Sequence, residues 1–362
     1  MLLSPSRIEP MRHLLAALML LSASPANAAN LQIAAVDVEG GGALLLKTPE
    51  GQSLLIDTGW APGRGGPQAA TLPTSAERIL TAAKAMGIST IDYLVMTHYH
   101  ADHLGGLESL LAKLPVGTFI DHGPNREPVR PDATPQQRIN APETRYPAWV
   151  AAWQGHRHLS VAAGDTLDVG TLHIRFVASD GEVLHAPLDG AGQPNRACAN
   201  ISSPPRIGGE ENNRSLGLVM TFGRTRMINL GDLPWKKEVA LFCPTNKIGA
   251  VDVYFVTGHG MDLSGSPPTA ALDPLIAVMQ NGPLKGGDAD VIKVIKGYPN
   301  LKGFWRSHDT TRYPEQNGDP DYIANRDGET DQGHAIVLDV AADGQITVTN
   351  TRNGFSRRYS AR

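Results

Sequence analysis

The sequence has little of several features that mark common protein classes. It contains two cysteines among 362 residues, and neither lies in a Cys-x-x-Cys or another zinc-binding spacing. Its net charge is −4, which is too slight for an acidic tail or for a basic surface that holds nucleic acid. No apolar run is long enough to cross a bilayer, and no short-period repeat occurs. We therefore expect neither a thiolate metal site nor a stable nucleic-acid partner, and no membrane span in the mature chain.

The N-terminal segment has the features of a secretion signal. Arg12 precedes an apolar stretch at 14–21, and the tripeptide Ala-Asn-Ala at 26–28 fits the small-x-small pattern of a cleavage site. The apolar stretch is too short to remain as a membrane helix. We expect residues 1–28 to be a signal peptide and the mature chain to be periplasmic or secreted.

The two cysteines predict a disulfide in such an oxidising compartment. A large exported protein with two cysteines often joins them. Here a bond between Cys198 and Cys243 would tie the loop at 195–205 to the segment that follows a helix near 235–242. Two unpaired thiols are the alternative.

Histidine and aspartate are concentrated at one point of the chain. Residues 97–106 read Thr-His-Tyr-His-Ala-Asp-His-Leu-Gly-Gly, with three histidines and one aspartate inside six positions. The apolar run at 91–96 predicts a buried strand before them, and the leucine spacing at 107–114 predicts a helix after them. Imidazole nitrogen and carboxylate oxygen are ligands of first-row divalent metals. The pattern predicts a metal site at a strand-to-helix junction, and four solvated polar residues in a turn are the alternative.

Two further predicted strands end in a potential ligand. Asp232 follows a hairpin at 215–222 and 225–230, and His259 follows a strand at 251–256. Each has a structural alternative, since Gly-Asp is a common turn and a single histidine after a strand is often a satisfied core group. Because both halves of the chain repeat the order of strands, hairpin and polar strand end, we expect these residues to join the cluster.

The motif His-x-His-x-Asp-His at 98–103, followed by Leu-Gly-Gly at 104–106, resembles the signature of the metallo-β-lactamase fold hydrolases. The resemblance implies an α/β fold, a four-layer αββα sandwich of two mixed β-sheets with the metal-bearing loops at one edge. It implies one domain, residues 29–362, with loop insertions near 123–147 and 180–212.

The resemblance also implies a set of ligands and a cofactor. The expected metal ligands are His98, His100, Asp102, His103, Asp232 and His259. In the family the first two histidines hold one ion, the next ligands hold a second, and the aspartate at position 232 bridges them. Asp57 matches an early aspartate that orients a ligand without binding metal. The donor set favours two zinc ions, with manganese or iron as alternatives. Asp102 and Asp232 are the expected catalytic residues, since they hold ions that generate a metal-bound hydroxide.

One family ligand has no counterpart in this sequence. In the family a histidine before the strand near 215 completes the first ion site, and this chain has Glu-Asn-Asn-Arg-Ser at 211–215. This feature resembles the hydrolase domain of bacterial DNA-uptake (competence) channel proteins and their exported relatives. His122, Asn213 or water is left to fill the position, and His122 could equally form hydrogen bonds at the rim of the cleft. Asn213 and Ser215 are candidate hydrogen-bond donors to a substrate.

Together these features predict an exported metal-dependent hydrolase that acts on a small molecule. The subgroup resemblance favours a phosphodiester-type substrate, as does an aspartate at 232, where the main class of zinc β-lactamases has cysteine. Hydrolysis of a β-lactam or a lactone is the first alternative. A metal-dependent binding protein without turnover is the second, because the first ion site is incomplete. Fold alone does not decide between substrates.

Overall fold

Strands and helices alternate along the chain, which the computed structural model describes over residues 30–64, 72–201, 208–329 and 333–362. The predicted signal peptide, 1–28, lies outside the described residues. The strands of the first half are β1 (Leu31–Ala35), β2 (Leu44–Lys47), β3 (Ser53–Ile56), β4 (Ile91–Val95), β5 (Val116–Asp121) and β6 (Arg157–Ser160). The helices of this half are α1 (Ser75–Ala85), α2 (Ala101–Leu104), α3 (Leu107–Leu111), α4 (Pro135–Asn140) and α5 (Pro142–Trp153).

The second half repeats the alternation. Its strands are β7 (Thr166–Val169), β8 (Leu172–Ser179), β9 (Glu182–Val183), β10 (Gln193–Pro194), β11 (Gly217–Phe222), β12 (Thr225–Asn229), β13 (Thr245–Asn246), β14 (Val253–Phe255), β15 (Ile276–Met279), β16 (Gly303–His308), β17 (Ile323–Asn325), β18 (Ile336–Val340), β19 (Gln345–Asn350) and β20 (Ser356–Ser360). Its helices are α6 (Glu210–Arg214), α7 (Trp235–Phe242) and α8 (Ala289–Lys296).

Two large mixed sheets organise these strands. The first has the order β20-β19-β18-β1-β2-β3-β4-β5-β6, and the second has the order β17-β16-β15-β14-β12-β11-β8-β7 with β9 paired to β8. Strands β3 to β6 are parallel neighbours in the first sheet, as are β12 and β14 to β17 in the second. The remaining neighbours in the two sheets are antiparallel. The mixed α/β class predicted from the sequence is therefore confirmed.

The apolar side chains divide the molecule into four layers. Alternate residues of the strands point to opposite faces of each sheet, so Ile33 lies between the two sheets and Ala34 faces the helices. The inner core contains residues of both sheets, such as Leu46 and Phe176. One outer core joins the first sheet to α1, α3 and α5, and the other joins the second sheet to α7 and α8. This arrangement is the αββα sandwich that the motif implied.

Parallel pairing brings the polar strand ends to one edge of each sheet. In the first sheet β3, β4 and β5 run in the same direction, so the segments after them emerge side by side. In the second sheet the same holds for β12, β14 and β15. The candidate ligands follow β4, β12 and β14.

The segment 123–147, for which the sequence predicts a loop insertion, contains α4 and the start of α5. A capping box formed by Thr134 and Gln137 begins α4, with a proline at its first turn. Proline is compatible with the first turn of a helix, where the missing N–H has no partner to lose. Trp149 of α5 is fully buried, and its Nε1 donates to Asp121 Oδ2 at 2.6 Å. Pro135 and Pro142 therefore begin helices, whereas Pro147 lies inside α5.

Two other sequence expectations concern covalent and membrane features. Cys198 and Cys243 form a disulfide, as predicted. The bond links a 3-10 turn at Arg196–Asn200 to the residue that ends α7. Among the described residues, no helix is both long enough and apolar enough to span a membrane.

Candidate metal centre

The histidine cluster lies where β4 ends and α2 begins. His100 is the residue that caps α2, and Asp102 and His103 lie inside this helix. The two glycines of the motif allow α2 and α3 to pack onto the segment after β3, since a Cβ at Gly106 would lie 2.1 Å from the Thr58 carbonyl oxygen. The cluster therefore sits directly against the end of the neighbouring strand.

Four potential ligand atoms converge, and five of the six distances between them match those around a tetrahedral ion. His103 Nε2 lies 3.2 Å from Asp102 Oδ2, 3.3 Å from Asp232 Oδ1 and 3.1 Å from His259 Nε2. His259 Nε2 lies 3.2 Å from each of the two carboxylate oxygens. Donors about 2.0 Å from a tetrahedral ion are roughly 3.3 Å apart. The four side chains are buried, and their spacing fits a divalent metal ion at the centre.

In two of these histidines, the ring nitrogen that does not face the ligand group, Nδ1, lies within hydrogen-bond distance of a protein oxygen. His103 Nδ1 lies 2.7 Å from Asp57 Oδ2, and His259 Nδ1 lies 3.1 Å from the Gln280 carbonyl oxygen. An acceptor at one ring nitrogen places the proton there and leaves the other nitrogen as a lone pair for a metal. Asp57 thus lies beside His103, where it can orient this ligand without binding the metal itself, as the resemblance implied.

His98 and His100 form the other part of the predicted site. His98 Nδ1 lies 3.0 Å from Thr97 Oγ1, while its buried Nε2 has no hydrogen-bond partner among the described residues. His100 Nε2 lies 3.4 Å from Glu127 Oε1. These contacts leave His98 Nε2 and His100 Nδ1 as the nitrogens available to a first ion. The first ion would therefore have two histidine nitrogens as ligands. The tetrahedral group offers four ligand atoms.

Asn212 lies beside the candidate ligands at the point where the family histidine is missing. Its Nδ2 donates to Asp232 Oδ2 at 3.4 Å, and its Oδ1 accepts from the Gly209 N–H at 2.8 Å. The side chain is buried. An amide therefore contacts the expected bridging aspartate.

The other candidates for this position have different surroundings. His122 Nε2 lies 3.2 Å from Glu211 Oε2, and both side chains are buried. Asn213 Nδ2 donates to the Gly209 carbonyl oxygen at 3.2 Å. Ser215 is fully buried, and its hydroxyl has no partner among the described residues. The structure therefore pairs His122 with Glu211 and brings neither it nor Asn213 into the tetrahedral group.

A second group of acidic and histidine side chains is neutralised by an arginine side chain. Asp37, Glu39 and His308 lie close enough together to be considered as metal ligands. Arg78 forms ion pairs with both carboxylates, and His308 Nε2 lies 2.8 Å from Asp37 Oδ1. A guanidinium already supplies the positive charge there, so we interpret this group as a buried structural ion network.

The charges of the candidate centre suit a divalent cation. Burial raises the pKa of the Asp102 and Asp232 carboxyls, but the neighbouring cations outweigh it and hold both pKa values well below the usual range. Burial lowers the pKa of His98, and the neighbouring His103 and His100 lower it further. Both carboxylates are therefore ionised and His98 is neutral near neutral pH. Burial lowers the pKa of His103, but Asp232 and Asp102 outweigh it and raise that pKa well above its usual value, so a metal ion that binds here displaces a proton from His103.

The segment that carries His259 is held by a buried carboxyl in α7. Glu238 Oε1 accepts from the Gly265 N–H at 3.0 Å, and its Oε2 accepts from the Ser266 N–H at 2.8 Å. Burial raises the pKa of Glu238 to about 7. A pKa raised on folding contributes stability at low pH that is lost as the pH rises toward the folded-state value.

We therefore expect Glu238 to make the protein less stable as the pH rises. The free energy of unfolding of the natural chain, relative to that of Glu238→Gln, should fall by roughly 2 kcal/mol between about pH 5 and pH 8. Urea denaturation of both proteins across this range measures the difference. A difference that is constant with pH would contradict the raised pKa. Asp262→Asn, a change at a partly exposed carboxyl of the same loop, serves as the control.

A large cavity is bordered by α6 and α7. Its volume is about 810 Å³, and Asn213, Pro234, Trp235 and Leu263 are among the residues that line it. None of the four candidate ligands lines this cavity, and the space that Asp57, His103, Asp232 and His259 line is about 20 Å³. The large cavity itself has room for a small molecule.

The layered fold and the buried ligand group describe a two-sheet domain with a candidate metal centre. Residues 37–192 match the model of the metallo-beta-lactamase superfamily. The chain therefore carries a domain of this superfamily, and the resemblance seen in the motif is confirmed. The match contains Asp57 and the histidine cluster, while Asp232 and His259 lie beyond it. A comparison with curated protein sequences gives no match.

Solved structures similar to this chain include three metallo-β-lactamase fold proteins. The metallo-beta-lactamase fold protein YhfI from Bacillus subtilis is 11% identical, with a TM-score of 0.41, over 77% of this chain and 96% of that chain. Tm1679, a metal-dependent hydrolase of the beta-lactamase superfamily, is 14% identical, with a TM-score of 0.42, over 76% of this chain and 95% of that chain. A metallo-beta-lactamase from Cronobacter sakazakii is 17% identical, with a TM-score of 0.31, over 54% of this chain. That match spans 61% of the length of the Cronobacter protein.

Several residues at the centre have no signal in the sequence. Glu127 comes from the insertion near 123–147, and Asn212 precedes β11 in a polar segment. Gln280 contributes a backbone carbonyl, which any residue type would supply. Lys285 contacts Asp102 from a turn after β15. An ordinary loop would show the same residue types, so only the fold identifies these four.

Proposed function

We propose that the chain is an exported metal-dependent hydrolase that cleaves a phosphodiester-type small molecule. The observation that carries this proposal is the tetrahedral group of Asp102, His103, Asp232 and His259, with spacings of 3.1–3.3 Å around a common centre. Members of the superfamily include metal-dependent hydrolases, and some members are non-hydrolytic. A buried group with these donors in such a domain supports the same class of chemistry.

Neighbouring residues of the protein orient the side chains that would bind the metal ion. A divalent ion held by Asp102, His103, Asp232 and His259 would lower the pKa of a bound water and polarise a substrate oxygen. Asp57 fixes the proton of His103 on Nδ1, so that Nε2 faces the ligand group. Asn212 donates to Asp232 and fixes the orientation of that carboxylate. Zinc is our first choice of metal, with manganese and iron as alternatives.

Two features support an exported phosphodiesterase over the alternatives. Position 232 is an aspartate, which gives the site a hard oxygen ligand in place of the thiolate of the main zinc β-lactamases. The Cys198–Cys243 disulfide is consistent with folding in an oxidising compartment. N-terminal sequencing of protein recovered from the periplasm or medium, with a start at residue 29, tests the export.

A substrate panel tests the reaction. We expect the metal-loaded mature protein to hydrolyse bis(p-nitrophenyl) phosphate faster than nitrocefin or an acyl lactone. Asp232→Asn keeps the shape of the side chain and removes its charge, so it should reduce phosphodiester turnover by about a hundredfold or more. His185→Ala, a change at an exposed histidine, is the control and should leave turnover unchanged. Preferred turnover of nitrocefin or of the lactone would contradict the phosphodiester proposal.

A binding protein without turnover is a second candidate, and one observation favours it. Asn212 contacts Asp232 where the family has a histidine ligand, so the first ion has two protein nitrogens in place of three. One tightly held ion per chain, together with no hydrolysis of any member of the panel, would support this candidate.

A further inference from the structure

A lysine from outside the ligand set lies at the edge of the candidate centre. Lys285 Nζ forms an ion pair with Asp102 Oδ2, the same oxygen that belongs to the tetrahedral group. The ammonium also lies 5.2 Å from the centre of the Trp60 ring. The Lys285 side chain is partly exposed, with 24% of its surface accessible. This cation therefore stands between the ligand group and solvent.

The backbone fixes this lysine in place. Lys285 lies in the turn at 282–287, which is closed by a hydrogen bond from the Gly282 N–H to the Lys285 carbonyl oxygen at 2.8 Å. A Cβ at Gly286 would lie 2.1 Å from the His259 carbonyl oxygen, and a Cβ at Gly40 would lie 3.1 Å from Lys285 Cβ. The turn is thus packed between the His259 segment and the Gly40 segment. The backbone at Lys285 is therefore held in place before any ligand arrives.

A metal ion in the tetrahedral group changes the surroundings of this ammonium. Asp102 Oδ2 would then share its negative charge between the ion and Lys285. Two cations held by one carboxylate oxygen repel each other, and the Trp60 face offsets only a small part of that repulsion. An anionic oxygen that contacts both cations removes the repulsion. A neutral ester or lactone supplies no such charge.

We propose that Lys285 is an anion-binding residue of this centre, which receives a phosphoryl oxygen of the substrate beside the metal ion. The proposal rests on the proposed hydrolase function and names the chemical class of its substrate. A lysine ammonium is a compact donor that binds phosphate as a point charge. Lys285 thereby favours anionic phosphodiesters over neutral substrates of similar size.

The test uses the full mature protein loaded with zinc and compares Lys285→Met with Lys285→Arg. Inorganic phosphate is the binding probe in calorimetry, and metal content is measured on the same samples. Lys285→Met should keep its zinc and weaken phosphate binding by about tenfold or more, while Lys285→Arg keeps most of it. Lys247→Met is the matched control, since Lys247 is also partly exposed and its Nζ donates to the Leu184 carbonyl oxygen at 2.9 Å.

Turnover separates this inference from the proposed function. Lys285→Met should raise KM for bis(p-nitrophenyl) phosphate by about tenfold, with a smaller effect on KM for neutral p-nitrophenyl acetate. Unchanged phosphate binding and KM in Lys285→Met would overturn the inference while the hydrolase proposal stands. Loss of zinc from Lys285→Met would also overturn it, since the lysine would then serve to hold Asp102. Phosphate binding that depends on Lys285 in a protein without turnover would support the inference and contradict the hydrolase.

Discussion

Replacing His259 with alanine is expected to remove the metal ion from the tetrahedral group. The change deletes one of four ligand atoms and leaves the Asp102 and Asp232 carboxylates near each other with less positive charge between them. Loss of the ligand should weaken zinc binding by more than about a hundredfold. Zinc per chain, measured by elemental analysis after dialysis against a chelator, gives the result. Phosphodiester turnover should fall to background in the same variant.

Two comparison variants make this result specific. His185→Ala changes an exposed histidine and should keep the zinc content of the natural chain. His122→Ala changes a buried histidine that pairs with Glu211, so we expect lower stability with zinc content retained. Retention of zinc in His259→Ala with natural affinity would contradict the tetrahedral site. Loss of zinc from His122→Ala in a folded protein would place His122 among the ligands.

The sequence predicted the parts of the fold that depend on local pattern. Apolar runs placed β4 and the hairpin of β11 and β12 within a few residues of their observed bounds. The histidine cluster predicted its own strand-to-helix junction because the motif and its glycines lie in one short segment. Cys198 and Cys243 could be paired because no other cysteine competes.

The rest of the site depends on topology that local pattern does not contain. Gln280 reaches His259 because β15 is the parallel neighbour of β14, and this order is a property of the whole sheet. Glu127 reaches His100 from an insertion in which polar composition favours a loop. Asn212 was one of two adjacent asparagines, and the sequence favoured Asn213 of the pair. The start of α6 at Glu210 decides between them, because a helical turn directs neighbouring residues to different sides.

The ion network under the 39–42 segment shows how the fold supports the site. Arg78 of α1 is 3% exposed and forms ion pairs with Asp37 and Glu39. The segment that follows Glu39 reaches the centre, where the Gly42 N–H donates to the Asp102 carbonyl oxygen at 3.0 Å. The ion pairs of Arg78 therefore hold the 39–42 segment, which in turn contacts the backbone of the candidate ligand Asp102.

Arg78→Met is expected to cause the largest loss of stability outside the ligand group. It keeps most of the apolar stem and leaves two buried carboxylates without their guanidinium, which should lower the free energy of unfolding by about 3–5 kcal/mol. Urea denaturation measures this loss. Arg130→Met removes an exposed ion pair with Asp132, whose N–O distance is 3.6 Å, and should cost less than about 1 kcal/mol.

A double variant tests the cause of the loss. Asp37→Asn removes one of the two stranded charges, so the pair Arg78→Met and Asp37→Asn should be more stable than Arg78→Met alone. The double variant also provides a folded sample if the single variant fails to fold. We expect its zinc affinity to remain below that of the natural chain, because the 39–42 segment is held less firmly against Asp102. Equal stability of Arg78→Met and the natural chain would show that the carboxylates are neutralised by other means.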